Sequence, residues 1–255
     1  MILKIKFAFL CGMLGLLSAC ETTSQSAGTG SNANDPVTAR AQAHTELGAV
    51  YLQQNKLEIA LDEFTQATKI APNYALAYNG LALVQSALGQ DAEAEASFKK
   101  SIELQPTSSE SHNNYGSFLC THKRYDESIA EFLTAVKNPL YTTPNLAYAN
   151  AGICADRKKD TKNAEIYLNK ALQIEPLTHS AAQQLADIQF RRGDAVSAKK
   201  TLQNALLSNP SPETLWLGIR ISRALGDKDD EASYALELRR QYPNSEQTRL
   251  LLSHK

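Results

Sequence analysis

The sequence predicts an all-α protein, a solenoid of six stacked helix pairs. Over residues 41–246 a pattern of small and large apolar residues returns about every 34 residues. Within each copy the apolar residues follow helical spacing, with charged residues between them. Prolines recur near the end of most copies, where they terminate a helix because proline lacks an N–H donor and clashes with the preceding turn. Since one helix pair cannot bury its own apolar face, neighbouring pairs must stack to form a core.

The six copies follow one another directly, and each is predicted to hold two helices. Their bounds are 41–74, 75–108, 109–144, 145–178, 179–212 and 213–246. A small residue in the first helix lets its partner approach closely, and the second helix adds another small residue and then a large one. The small residues of the first helices are Gly48, Ala82, Gly116, Gly152 and Ala186. The second helices supply the pairs Ala60 and Phe64, Ala94 and Phe98, Ser128 and Phe132, Ala164 and Leu168, and Ala198 and Leu202.

The sixth copy departs from this pattern. We expect Ile219, Ala232 and Leu236 in its core, although Arg220 stands where the other copies have a small residue. The aromatic residues of the first helices are expected to pack between helices rather than to contact a ligand. These are Tyr78, Tyr115, Tyr148 and Trp216. The segment 247–255 contains three successive leucines and is predicted to form a C-terminal partial cap.

The repeating pattern resembles the tetratricopeptide repeat (TPR), which implies a right-handed superhelical solenoid of six TPR helix pairs. In such arrays the first helices line a concave groove, and positions 2, 5, 9 and 12 of each repeat point into it. Carried over by position, the resemblance implies the groove residues Leu52, Leu76, Asn79, Leu83, Ser86, Glu110, Asn113, Ser117, Leu146, Ala149, Ile153, Gln183, Asp187 and Phe190. The lysines that clamp a C-terminal carboxylate in chaperone-binding relatives are absent beside Asn79 and Asn113.

Three leucines of the predicted groove, Leu52, Leu76 and Leu83, suggest an apolar patch with asparagines at its edge. An extended or helical peptide could place apolar side chains there while the amides of Asn79 and Asn113 bond its backbone. The alternative is that some of these leucines pack within their own repeat.

The N-terminus reads as an export signal. Lys4 and Lys6 precede an apolar run too short to span a bilayer, and small residues follow it. Residues 17–20, Leu-Ser-Ala-Cys, resemble the bacterial lipobox, which implies cleavage after residue 19 and lipidation of Cys20. The alternative is an ordinary signal peptide with a chance cysteine. We therefore expect a signal peptide at 1–19 and, at 20–40, a lipidated cysteine with a polar, flexible tether. Because Glu21 follows the cysteine, we expect the protein to be anchored in the outer membrane and to face the periplasm.

The repeats retain two cysteines, Cys120 and Cys154, near the ends of the first helices of the third and fourth copies. An exported protein meets an oxidising compartment, in which two neighbouring thiols normally form a disulfide. The two extra residues near Thr143 place the cysteines in different helical registers, as pairing between neighbouring helices requires. We expect a disulfide, with two free thiols as the alternative.

Nothing in the sequence resembles an active site. The five histidines are scattered, and no phosphate-binding glycine loop, nucleophile elbow or metal-binding motif is present. A formal net charge of −1 offers no electrostatic reason for binding nucleic acid. We therefore expect a protein that is not an enzyme, uses no cofactor or metal and takes no small-molecule substrate. We also expect it to be a monomer.

Lipobox, tether, tandem repeats and cysteine pair together resemble the PilF/PilW family of type IV pilus biogenesis lipoproteins, the secretin pilotins. The resemblance spans the whole chain. It implies binding of the pilus secretin subunit, help in reaching the outer membrane, and promotion of secretin multimerisation. The residues themselves predict only a tethered, peptide-binding adaptor. The alternatives are a TPR scaffold for murein hydrolases, a component of outer-membrane β-barrel assembly, or a structural spacer.

Overall fold

The structure is a computed structural model that describes residues 36–207 and 209–253, and it contains thirteen helices and no strands over those residues. The helices are α1 (Pro36–Gln53), α2 (Leu57–Ile70), α3 (Ala75–Ala87), α4 (Asp91–Leu104), α5 (Ser109–Thr121), α6 (Tyr125–Ala135), α7 (Pro144–Arg157), α8 (Thr161–Ile174), α9 (His179–Arg191), α10 (Ala195–Leu206), α11 (Pro212–Leu225), α12 (Lys228–Gln241) and α13 (Glu246–Ser253). The first twelve form six antiparallel pairs, as predicted, and α13 follows the last pair. Helix α1 begins at Pro36, so residues 36–40, assigned above to the tether, are helical.

The helices form two layers with different contacts. Each first helix (α1, α3, α5, α7, α9, α11) packs on its own second helix and touches the next first helix, and α11 likewise touches α13. Successive second helices do not contact one another within the described residues. Because the first helices lie closer together than the second helices, the array curves with the first helices on its inner face. The predicted groove is therefore formed by the predicted helices.

Large side chains of the second helices fill the space beside small residues of the first helices. Phe64, Phe98, Phe132, Leu168 and Leu202 are all fully buried. A Cβ added at Gly116 would lie 2.9 Å from the Phe132 ring, and one at Gly152 would lie 2.5 Å from Leu168 Cγ. Small residues at these positions are thus required by the distance between paired helices.

Turns within the pairs use left-handed backbone at equivalent positions. Gly89, Gly193 and Gly226 adopt positive φ there, which glycine tolerates without steric conflict. Asn55, Lys123 and Lys159 adopt it in the other three pairs. Side chains of Asp160, Asp194 and Asp227 then accept a hydrogen bond from the backbone N–H three residues on, which caps the second helices α8, α10 and α12.

The sixth pair uses a register two residues earlier than the sequence predicts. Gly218, not residue 220, is the small residue of α11, and a Cβ there would meet the Tyr234 ring at 3.1 Å. Tyr234 and the buried Leu238 therefore take the core positions of α12, whereas the expected core residues Ala232 and Leu236 are exposed. Ile219 is buried as expected. The strict 34-residue period misplaced this pair because only 32 residues separate Gly218 from the equivalent Ala186.

The connection between the third and fourth pairs, residues 136–143, is longer than the others. Its Tyr141 folds back and is buried against Ala135 and Ala147. In the inner layer, Cys120 of α5 and Cys154 of α7 form a disulfide, with their Cα atoms 5.9 Å apart. The predicted pairing is therefore present, and it joins two neighbouring first helices in the middle of the array.

Candidate functional site

The inner face is the candidate functional site, because it is the surface to which every first helix contributes. Of its predicted apolar residues, Leu76 is exposed, with 43% of its surface accessible. Leu52 and Leu83 are half-buried, since Leu52 packs against the cluster around Phe64 and Leu83 against the cluster around Phe98. Ile153 is likewise half-buried against the core of the fourth and fifth pairs. The patch is thus centred on Leu76, with the other two leucines shared between the surface and the core.

The predicted groove asparagines are joined to their neighbours. Asn79 Oδ1 on α3 accepts a hydrogen bond of 3.2 Å from Asn114 Nδ2 on α5. Asn113 Oδ1 on α5 accepts one of 3.1 Å from Asn150 Nδ2 on α7. Asn79 is buried, and Asn113 is half-buried. These bonds leave the Nδ2 groups of Asn79 and Asn113 as donors, held in fixed positions along the inner face.

Polar contacts continue along the inner face into the C-terminal half. Asp156 Oδ2 on α7 accepts from Gln184 Nε2 (2.8 Å) and from Arg191 Nη2 (2.7 Å), both on α9. Thr214 Oγ1 on α11 donates to Gln183 Oε1 at 2.7 Å. We did not predict this set of contacts from the sequence. The signal available was the run of Asn and Gln at adjacent positions of successive first helices, which we interpreted one residue at a time.

The groove residue Ser117 bonds within its own helix, with Ser117 Oγ donating to the carbonyl of Asn113 at 3.0 Å.

The aromatic residues of the first helices were predicted to pack between helices, and they do so to different extents. Tyr115 is buried against Phe98 and Phe118, whereas Tyr78, Tyr148 and Trp216 are half-buried. Trp216 packs against the core of the last pair and presents part of its ring to the inner face.

A buried histidine forms a hydrogen bond between the two helices of the third pair. His112 Nδ1 lies 2.5 Å from Glu131 Oε2 on α6, and His112 Nε2 lies 2.9 Å from the carbonyl oxygen of Pro106. Both partners are hydrogen-bond acceptors, so the protonated ring can donate to both of them. The bond to the Glu131 carboxylate raises the pKa of His112, against the opposing effect of burial. This contact stabilises the pair and does not face the groove.

Within residues 36–207 and 209–253, no group of three or more His, Cys, Asp or Glu side chains is arranged to hold a metal ion. No helix among those at 36–253 is long and apolar enough to cross a membrane. Cys20, the predicted signal peptide and most of the predicted tether lie outside the described residues.

Curvature, paired helices and a polar inner face together define a class, the tetratricopeptide-repeat solenoids that serve as protein-interaction scaffolds. Family models described as TPR repeat or tetratricopeptide repeat match residues 48–89, 75–108, 97–130 and 146–176. The chain is also 30% identical over 204 residues to the type IV pilus assembly protein PilF of Pseudomonas aeruginosa, covering 80% of this chain and 81% of that protein.

Solved structures place it in the same family. The structure of P. aeruginosa PilF matches with a TM-score of 0.76 and 28% identity, over 87% of this chain and all of that one. PilW, described as a widely conserved type IV pilus biogenesis factor, matches with a TM-score of 0.73 and 29% identity, over 83% of this chain and 98% of that one. The chain belongs to the PilF/PilW family of TPR proteins of type IV pilus biogenesis.

Proposed function

We propose that this protein is an outer-membrane-anchored periplasmic adaptor that binds the type IV pilus secretin and promotes its outer-membrane localisation and multimerisation. Family membership supports the pilus role, and the carrying observation is the inner face itself. There an exposed Leu76 lies on the same helix as Asn79, whose amide is held by Asn114. Such a face suits a peptide segment that offers apolar side chains and backbone carbonyls.

The anchoring part of the proposal rests on the sequence alone. Lipidation of Cys20 with more than one acyl chain would hold the protein stably at a membrane, because each buried methylene contributes about 0.8 kcal/mol. The polar residues 21–35 then give the repeats reach from the membrane surface.

Deleting the gene tests the proposal when it is followed by measuring secretin multimers in outer-membrane fractions. We expect the multimers to disappear and to return when the wild-type gene is supplied. Cys20→Ser separates anchoring from binding, since it should leave secretin binding intact but shift the secretin away from the outer membrane. Multimers that are unchanged in the deletion strain would overturn the secretin assignment and favour a role in murein hydrolase scaffolding or β-barrel assembly.

Leu76→Ser tests the groove. Removing an apolar side chain that contacts a partner should reduce the recovered secretin multimers several-fold without unfolding the protein, because Leu76 is already 43% exposed. Leu236→Ser is the matched control, since Leu236 is 62% exposed on the second helix α12. Equal effects of the two substitutions would show that the inner face is not the binding surface.

A further inference from the structure

The C-terminal end of the inner face holds a pocket that the proposed function does not use. Its volume is about 250 Å³, and its lining from α9, α11 and α13 includes Asp187, Glu213, Trp216, Arg220 and Gln247. Pockets for drug-sized ligands are typically 300–1,000 Å³, so this one is sized for one or two side chains.

Arg220 occupies a position that the second to fifth pairs fill with an apolar core residue. Two residues after the small residue of the first helix, the second to fifth pairs have a buried apolar side chain that packs on the preceding pair. These residues are Val84, Phe118, Cys154 and Ile188, which are between 0% and 5% exposed. With Gly218 as the small residue of the sixth pair, the same position is Arg220, which is half-buried.

The guanidinium of Arg220 has no anionic partner. Its Cζ lies 4.9 Å from the centre of the Phe190 ring, and it forms no ion pair or hydrogen bond with any residue of 36–207 or 209–253. The other half-buried arginine of that part of the chain, Arg124, is paired with both Glu95 and Glu127. A charge placed where the fold favours a hydrocarbon, and left unpaired, destabilises the array, and such a cost is typical of functional sites.

The two acidic residues of the pocket each accept a hydrogen bond from a residue other than Arg220. Asp187 Oδ2 accepts from Arg191 Nε at 2.8 Å, and Glu213 Oε1 accepts from Gln247 Nε2 at 3.1 Å. The contact between Arg220 Cζ and the Phe190 ring positions the guanidinium and leaves its N–H groups without an acceptor in the described residues. A guanidinium can bind a carboxylate through two parallel hydrogen bonds. Beside it, Trp216 offers an aromatic surface for an apolar neighbour of that carboxylate.

We propose that this pocket is a second recognition site, which takes an aspartate or glutamate side chain next to an apolar residue in an extended segment of a partner protein. The inner face continues from the pocket along α7 and α5, so a chain can pass through it rather than end there. The site is separate from the patch around Leu76 and does not depend on the secretin being the partner.

A phage-displayed library of random dodecapeptides, fused through their C-termini, tests the proposal against the immobilised full-length chain. Because no peptide in this library has a free C-terminal carboxylate, any selected acid is a side chain. We expect enrichment of Asp or Glu adjacent to an apolar residue. A selected peptide, synthesised with acetylated and amidated ends, should change the fluorescence of Trp216, which is the only tryptophan in the chain.

Arg220→Met separates binding from structure. It should weaken the selected peptide about tenfold or more, since hydrogen bonds between charged groups are lost. It should also leave the melting temperature unchanged or higher, because methionine suits the apolar position. Arg223→Met is the control, since Arg223 on the same helix is ion-paired with Glu231 and should not affect peptide binding. The proposal is overturned if the library returns no peptide or no acidic motif, if the amidated peptide does not bind, or if Arg220→Met leaves binding intact.

Discussion

Gly80→Ala probes the packing between the first two helix pairs. Phe64 of α2 is 1% exposed, and its ring lies between Gly48 of its own pair and Gly80 of α3 in the next pair. A Cβ added at Gly80 would lie 2.1 Å from Phe64 Cε1 and 2.5 Å from Cζ. Ordinary carbon–carbon contacts are about 3.5–4.0 Å, so the ring or the helix would have to move by about 1.5 Å.

Two effects of opposite sign determine the result. Alanine in a helix interior is favoured over glycine by about 0.5–1 kcal/mol, because glycine loses more backbone entropy on folding. Overpacking a well-filled core costs about 1–3 kcal/mol, and a fully buried ring beside another helix has little room to move. We expect a net loss of about 1–2 kcal/mol, which for a domain of this size lowers the melting temperature by about 2–8 °C. Gly48→Ala, whose Cβ would lie 3.0 Å from the ring, should be less destabilising.

Thermal and denaturant unfolding followed by circular dichroism would measure the stability of both variants. Phe64→Leu, alone and combined with Gly80→Ala, completes a double-mutant cycle. Leucine lacks the ring atoms nearest to the added Cβ, so the double variant Gly80→Ala, Phe64→Leu should be more stable than the sum of the two single effects by about 1 kcal/mol. A Gly80→Ala variant as stable as the wild type, or effects that simply add, would refute the steric reasoning.

Two further predictions concern stability. Reducing the disulfide, or replacing both Cys120 and Cys154 by serine, should lower the free energy of unfolding by about 3–4 kcal/mol, since the bond closes a loop of 34 residues. Denaturant midpoints with and without reductant measure this difference. Two titratable thiols in the oxidised protein would contradict the prediction. Because the pKa of His112 is higher in the folded than in the unfolded protein, its contribution is fully present below about pH 6.5 and is lost as the pH rises through the folded pKa. The difference in melting temperature between the wild type and Glu131→Gln should therefore shrink from pH 6 to pH 9, and a constant difference would exclude this ion pair.

The repeated pattern was enough to predict the helix pairs and which helices line the groove. A small residue such as Gly116 and a large one such as Phe132 recur at a fixed separation, because the two helices of every pair pack at the same close distance. The helix pairs depend on local periodicity, which is a property of the sequence. The cysteine pair was predictable for a different reason, since Cys120 and Cys154 lie near the ends of neighbouring first helices and an exported protein meets an oxidising compartment.

The contacts between pairs could not be predicted in the same way. Gly80 is small because it faces Phe64 of the preceding pair, and Asn79 is held by Asn114 of the following one. The sixth pair was misplaced because the step from the fifth pair to the sixth is two residues short, a shift that becomes visible only when Gly218 meets Tyr234.

The sequence by itself determined the all-α class, the order of the helix pairs and the family. The tertiary structure decided the sixth register, the joined asparagines of the inner face and the unpaired Arg220 in its pocket. The physical reason is that helix formation and pairing within a repeat depend on residues near one another in the chain. The inner surface, by contrast, is built from side chains about 34 residues apart, whose contacts depend on how closely each pair stacks on the next.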